Sequence, residues 1–382
     1  MHGRRDNVFE RNRKKVCLVV VLVLVSACVL LTETCLRKVM GLGNPVLYDS
    51  SPLYGFRPLP NSEYHRFRGA RLRFNNLGLR AESDFDGDPN NKVLFLGDSV
   101  TYGGSYIDNK ELFSYLAVED LGNYESGNAA VNAWGVENIY GLIVECGFLP
   151  AKVYITTLPE GDFYRGLTRC QGMPFFNVRP RLALLELWYY FCFRQNTRRY
   201  REWQTYAGEN DKRLVVEKAV RELKEMDEFL KGKGLDHLIF ITPRKEQVVG
   251  DAGKDPLVKE LLAKHGLHPV YIGDKLSECG LSAPEKQKLF YDSIHLEKEG
   301  HAVWATIIRH ELDKIIPNST VETACVDRPN QCQPSTHRSL RSVRQSGRRH
   351  GEMKSTTSDP ISACDRLGSV IAPPTTPWAQ AI

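Results

Sequence analysis

Charge of one sign is what this sequence lacks: 51 Lys and Arg face 46 Asp and Glu across 382 residues. So even a balance gives no electrostatic footprint for nucleic acid, and no nucleic-acid partner is expected. The small basic excess lies at the ends, in Arg4, Arg5, Arg11, Arg13, Lys14 and Lys15 and again in Arg338, Arg341, Arg344, Arg348 and Arg349, where it reads as solvated runs. Metal-ligand spacing is missing too. Of the ten cysteines, Cys17, Cys28 and Cys35 fall in an apolar N-terminal segment and Cys325, Cys332 and Cys364 in the tail, leaving Cys146, Cys170, Cys192 and Cys279 scattered through the body. No two of these four are spaced as metal ligands, so neither a metal nor a cofactor is expected. Outside the cytoplasm a pair of them could oxidise, the four together allowing three connectivities, or all could stay buried thiols. Otherwise the composition is ordinary, 42% apolar and 25% charged, and fits one large globular domain with accessory segments.

A clean small-residue cleavage site is absent behind the one long apolar run. Val16 to Leu31 is sixteen residues broken only by Ser26 and two cysteines. That length lies between a signal-peptide core and a full span of about 20 residues, so a cleaved signal and an uncleaved anchor over 16–36 both remain open. Residues 1–15 are basic and belong in the cytoplasm, which puts everything after about Arg37 outside: a single-pass protein with an extracytoplasmic domain. Val25-Ser26-Ala27-Cys28 also resembles a lipoprotein processing site, although Val29, Leu30 and Leu31 continue the apolar run after the cysteine.

Segment 44–90, rich in Pro, Asn, Gly and Arg, reads as an extended lead-in to a main domain over 92–317. Short β-branched and apolar runs recur there at Val93–Leu96, Val153–Thr157 and Leu238–Ile241, separated by patterns of helical length. This alternation predicts an α/β fold with a parallel sheet covered on both faces. The clearest helix is Lys212 to Lys231, stopped by Gly232 and Gly234, and another is expected from Glu297 to Leu312. Between them and the early strands lies an aromatic- and Arg-rich insertion, 163–211, with Trp188, Tyr189, Tyr190 and Phe191, expected as a packed helix pair in preference to a lid. Beyond Asn318 periodicity ends, and 319–382 has the composition of disorder.

Two short motifs carry chemistry. Val93-Leu94-Phe95-Leu96-Gly97-Asp98-Ser99 ends a buried strand in glycine and presents a serine at the sheet edge where α/β ligand sites form. Near the other end, Tyr291-Asp292-Ser293-Ile294-His295 sets a carboxylate and an imidazole three positions apart before a helix. A serine hydroxyl needs an imidazole to take its proton, and the imidazole needs a carboxylate to fix its tautomer. Ser99, His295 and Asp292 are therefore the candidate nucleophile, base and orienter.

On these residues the chain resembles the SGNH (GDSL-like) hydrolases, over roughly Lys92 to Pro317. Gly97-Asp98-Ser99 matches the family's first block and Asp292 to His295 its last, while the Gly-x-Ser-x-Gly elbow of ordinary α/β-hydrolases is absent. The resemblance implies a three-layer, flavodoxin-like parallel sheet and a serine–histidine–aspartate triad. It departs in the middle. Asn128-Ala129-Ala130-Val131-Asn132-Ala133 resembles the second block with Ala133 in place of its glycine, and Leu158-Pro159-Glu160-Gly161-Asp162 has Gly161 in place of the third block's asparagine. An oxyanion hole is then expected from Ser99, Ala133 and Gly161, with Asn132 as a possible stand-in donor. Membrane-anchored bacterial members add or remove acetyl groups on surface polysaccharides. The resemblance thus implies ester hydrolysis on an acylated glycan, with O-acyl transfer as the alternative and a catalytically weak glycan-binding module as a second.

Overall fold

Apolar runs without a polar face need cover on both sides. The computed structural model, which describes residues 12–169, 177–195, 212–250 and 252–316, provides it. The chain opens with helix α1 (Arg13–Val39), then two hairpins: β1 (Tyr48–Ser51) with β2 (Gly55–Pro58), and β3 (Ser62–His65) with β4 (Arg71–Phe74). There follow β5 (Lys92–Gly97), the short helices α2 (Ser99–Tyr102) and α3 (Phe113–Leu116), β6 (Glu125–Asn128), α4 (Val136–Tyr140) and β7 (Val153–Pro159). Next come α5 (Ala183–Gln195), α6 (Lys212–Gly232), β8 (Asp236–Thr242), α7 (Lys245–Val249), α8 (Pro256–Lys264) and β9 (Val270–Tyr271). The described part ends with α9 (Ile272–Glu278), α10 (Ala283–Lys288) and α11 (Lys298–Leu312).

Five strands form one parallel sheet in the order β6-β5-β7-β8-β9. Numbered along the sheet alone, this is the 2-1-3-4-5 order of flavodoxin-like doubly wound proteins. The pleat of β5 divides the core: Leu94 and Leu96 pack with α4, α6 and α8, and Val93 and Phe95 pack with α3, α9 and α11. On α6 the side chains of Val216, Val220, Leu223, Met226 and Leu230 form the buried stripe that its spacing predicts.

Segment 44–90 differs from an extended lead-in. Tyr54, Phe56, Tyr64, Leu72 and Phe74 are buried in the same core as Leu94 and Leu96, so its hairpins are part of the domain. Bridges from Phe74 to Arg80 and from Arg80 to Asn128 carry β3 and β4 onto the open edge of β6, covering backbone groups that an edge strand would leave unpaired.

The insertion differs too. Residues 170–176 and 196–211 lie outside the described residues, as do Cys170 and the tail from 317. Helix α5, between the first two, leaves Leu185, Leu187, Trp188 and Phe191 exposed and so does not fill a core. Cys192 and Cys279 are exposed free thiols.

Helix α1 contains neither Gly nor Pro and is long and apolar enough to cross a membrane. It stops where Gly41 takes φ +65°, with Leu42 N–H returning to Leu36 O at 3.1 Å. A Cβ on Gly41 would lie 2.5 Å from the Arg66 backbone, so glycine is needed there on both counts.

Candidate active site

Strand β5 delivers Ser99 at the carboxyl edge of the sheet. Gly97 is required by packing: a Cβ there would meet Thr101 Oγ1 at 2.2 Å and Thr157 O at 2.5 Å. Asp98 then caps α2 by accepting from Val100 N–H at 2.9 Å, which turns the chain and leaves Ser99 half-buried at the helix start. From the far end of the chain, the turn before α11 folds back to meet it. His295 Nε2 is 2.8 Å from Ser99 Oγ, and His295 Nδ1 is 2.7 Å from Asp292 Oδ2. The other Asp292 oxygen accepts from the N–H groups of Ile294 and His295, each at 2.8 Å. Partial burial pushes the Asp292 carboxyl up, but those two N–H groups and the imidazole outweigh it and hold the group below its ordinary value. An ionised Asp292 on Nδ1 leaves Nε2 as the acceptor facing the hydroxyl, the tautomer a general base needs.

Two ties hold this turn in place. Lys245 N–H donates to Ser293 O at 2.9 Å, and the Tyr106 hydroxyl donates to Leu296 O at 2.8 Å. Tyr106 also stacks on Tyr291 with ring centroids 4.3 Å apart, and the Arg68 guanidinium lies over both rings. Arg68 reaches across from the β3–β4 turn and pairs with Glu297 at 2.8 Å, so the lead-in contributes to the rim of the site. His301, one turn into α11, is a buried neighbour whose Nδ1 accepts from Phe113 N–H at 3.2 Å. Burial first, then Arg80 and His295, hold its pKa down to about 3, so it stays neutral.

Beneath Ser99 lies a charged cluster. Arg165 Nη1 is 2.6 Å from Asp162 Oδ1 and 3.6 Å from Asp98 Oδ2, with both carboxylates buried. Burial, with Asp98 beside it, raises the Asp162 carboxyl well above the ordinary range against the opposing pull of Arg165. One guanidinium thus stands between two buried acids, of which Asp162 is the one whose charged form burial disfavours.

The loops proposed around the oxyanion sit at neighbouring strand ends. Ala133 follows β6 with φ +63°, a left-handed conformation that costs a non-glycine residue about 1–2 kcal/mol. Gly161 is the second residue of the turn after β7 and is not in the left-handed region; a Cβ on it would lie 3.0 Å from Arg244 Nη2, a guanidinium on the loop after β8. Asn132 is half-buried beside Ala133. Sequence reasoning gave no role to Arg68, Tyr106, Arg165 or Arg244. Only Arg165, three residues after Asp162, carries a local signal. Among the described residues no group of His, Cys, Asp and Glu could hold a metal ion.

The arrangement is an activated-nucleophile relay on a doubly wound α/β sheet, and it is chemically competent for acyl transfer to Ser99. No family model matches the sequence, and no curated protein matches it. Similar solved structures include an acetyl xylan esterase, at 14% identity and TM-score 0.37, covering 58% of this chain and 99% of that one. A lipase/acylhydrolase from Enterococcus faecalis is similar at 12% identity and TM-score 0.35, over 59% of this chain and 96% of that one. A two-domain esterase active on acetylated mannans is similar at 14% identity and TM-score 0.36, over 60% of this chain and 51% of its own.

Proposed function

We propose that this chain is a membrane-anchored serine hydrolase of the SGNH type, cleaving ester bonds with Ser99 as nucleophile, His295 as base and Asp292 as orienter. The observation that carries the reading is the unbroken relay of 2.8 Å and 2.7 Å contacts from Ser99 through His295 to Asp292. Ser99 Oγ attacks the acyl carbon as its proton passes to His295 Nε2, and Asp292 stabilises the imidazolium. The tetrahedral intermediate collapses by breaking the ester C–O bond, the leaving oxygen takes the proton from His295, and the acyl group remains on Ser99. Water then repeats the sequence and frees the acid. Backbone N–H groups of Ser99, Ala133 and Gly161 are the proposed oxyanion donors.

The basic Arg13, Lys14 and Lys15 at the head of α1 favour a cytoplasmic N-terminus and an extracytoplasmic domain. An open site on a domain so placed fits an O-acetylated surface glycan. Passing the acyl group to a sugar hydroxyl is the other fate of the same intermediate.

The test is labelling of the full chain with a fluorophosphonate, mass mapping, and acetate release from an acetylated oligosaccharide by wild type and Ser99→Ala. Label should fall on Ser99, and the variant should lose at least ~10⁴-fold in kcat. An unlabelled Ser99 and equal rates in both proteins would leave a glycan-binding module without catalysis.

A further inference from the structure

Helix α5 presents a face that a watery surface does not explain. From Ala183 to Phe193 its only charged residue is Glu186, and that side chain points inward, fully buried and paired with Arg66 at 2.6 Å. On the opposite side Leu185, Trp188 and Phe191, at successive three-residue steps, are 39%, 60% and 55% exposed, and Trp188 stacks on Phe191. Such a face on a soluble surface marks an interaction site.

Its position says with what. The start of α5 is fastened to the end of α1: Glu33 accepts from the N–H groups of Ala183 and Leu184 at 2.8 and 3.0 Å, and Arg37 donates to Arg181 O at 2.9 Å. Glu33 is also the first charged residue after the apolar stretch that begins at Val16. Helix α5 therefore starts at the level where α1 would leave the hydrocarbon. Exposed cations collect at that level, with Arg37 and Lys38 on α1 and Arg179 and Arg181 just before α5. Cations beside a helix whose outward face carries a tryptophan with aliphatic neighbours are the chemistry of a membrane interface.

We propose that α5 is an interfacial helix, lying with Leu185, Trp188 and Phe191 in the headgroup–acyl boundary of the bilayer that α1 crosses. This rests on reading α1 as a span. The domain then has two attachments to one membrane, a span and a surface helix.

The full chain is reconstituted in vesicles of phosphatidylcholine and phosphatidylglycerol, as wild type and as Trp188→Phe, a swap at an exposed site that leaves the core untouched. The difference in emission isolates Trp188. The expected difference spectrum is blue-shifted and is quenched at least twofold more by lipids brominated near the glycerol end of the chain than by lipids brominated near the methyl end. Emission quenched by iodide but not by brominated lipid would place Trp188 in water and overturn the proposal. Blue-shifted emission untouched by either quencher would mean that protein, a second copy or another segment of this chain, covers α5, and would overturn it equally. Carbonate extraction of the same vesicles separates the two readings. Protein retained with an unquenched Trp188 defeats only the α5 proposal, whereas protein released by carbonate defeats the span as well.

Discussion

Asp162 makes the floor of the site sensitive to pH. Its carboxyl titrates near 3.8 when exposed and is raised well above that in the folded chain, by burial and then by Asp98 against the pull of Arg165. A raised folded pKa favours folding in full below about pH 4, and that contribution is lost as pH rises through the folded value. Asp162→Asn keeps the shape and has no proton to lose. The variant's Tm relative to wild type should therefore climb between about pH 4 and pH 8; a constant difference across that window would mean that Asp162 is ionised throughout. At Gly161 the backbone makes no special demand, but an added side chain meets Arg244 Nη2 at 3.0 Å. Because that atom is the free end of an exposed side chain, it can move aside. Gly161→Asn should fold normally and keep or exceed wild-type kcat/KM on an activated ester, since it adds a donor next to the proposed oxyanion. Intact folding with a collapsed kcat would show that the bare backbone, or Arg244 in its present place, is required.

Among the elements, the segment joining the second hairpin to β5 holds the loop that follows Ser99 and α2. Arg80 Nη1 donates to Tyr102 O at 2.6 Å and Gly104 O at 2.8 Å, its Nη2 to Ile107 O, and its Nε to Asn109 Oδ1 at 2.8 Å. The guanidinium is buried over the Tyr102 ring, and burial lowers its pKa to about 10. Arg80→Ala would orphan several buried acceptors in the loop that follows Ser99, a loss of about 3 kcal/mol or more. Urea unfolding should register that loss, and Arg80→Lys should not restore it, because an ammonium cannot span the same fork. A shift below about 1 kcal/mol would mean that water replaces the guanidinium. None of this was legible beforehand. The relay residues could be read because each belongs to a run of a few residues whose local geometry does the work: strand, glycine and cap for Ser99, and one turn for Asp292 and His295. Arg80 has no such context; its partners lie 22 to 29 residues away. The hairpins stayed hidden because strands of four residues such as Arg71–Phe74, with charged outward positions, are too short for alternation to register. Strand β6 reads Glu-Ser-Gly-Asn and β9 has two residues, so neither carries an apolar run, while β5, β7 and β8 all do.

For the whole molecule, the alternation of strands and helices was enough to predict a sheet covered on both faces, but not how the domain meets α1. That depends on contacts between distant segments: Leu36 is buried, Arg66 donates to Gly41 O at 2.6 Å, and Glu186 binds both Arg66 and the backbone of Gly43. The last turn of α1 and the residues just after it are thus packed and hydrogen-bonded into the domain. If α1 spans a bilayer and Ser99 is the nucleophile, as proposed, a catalyst held so closely to its span would not search the volume around it. It would sweep a thin layer parallel to the bilayer, carried by lateral diffusion, and its turnover would follow the number of esters per unit area within that layer and not their concentration in solution.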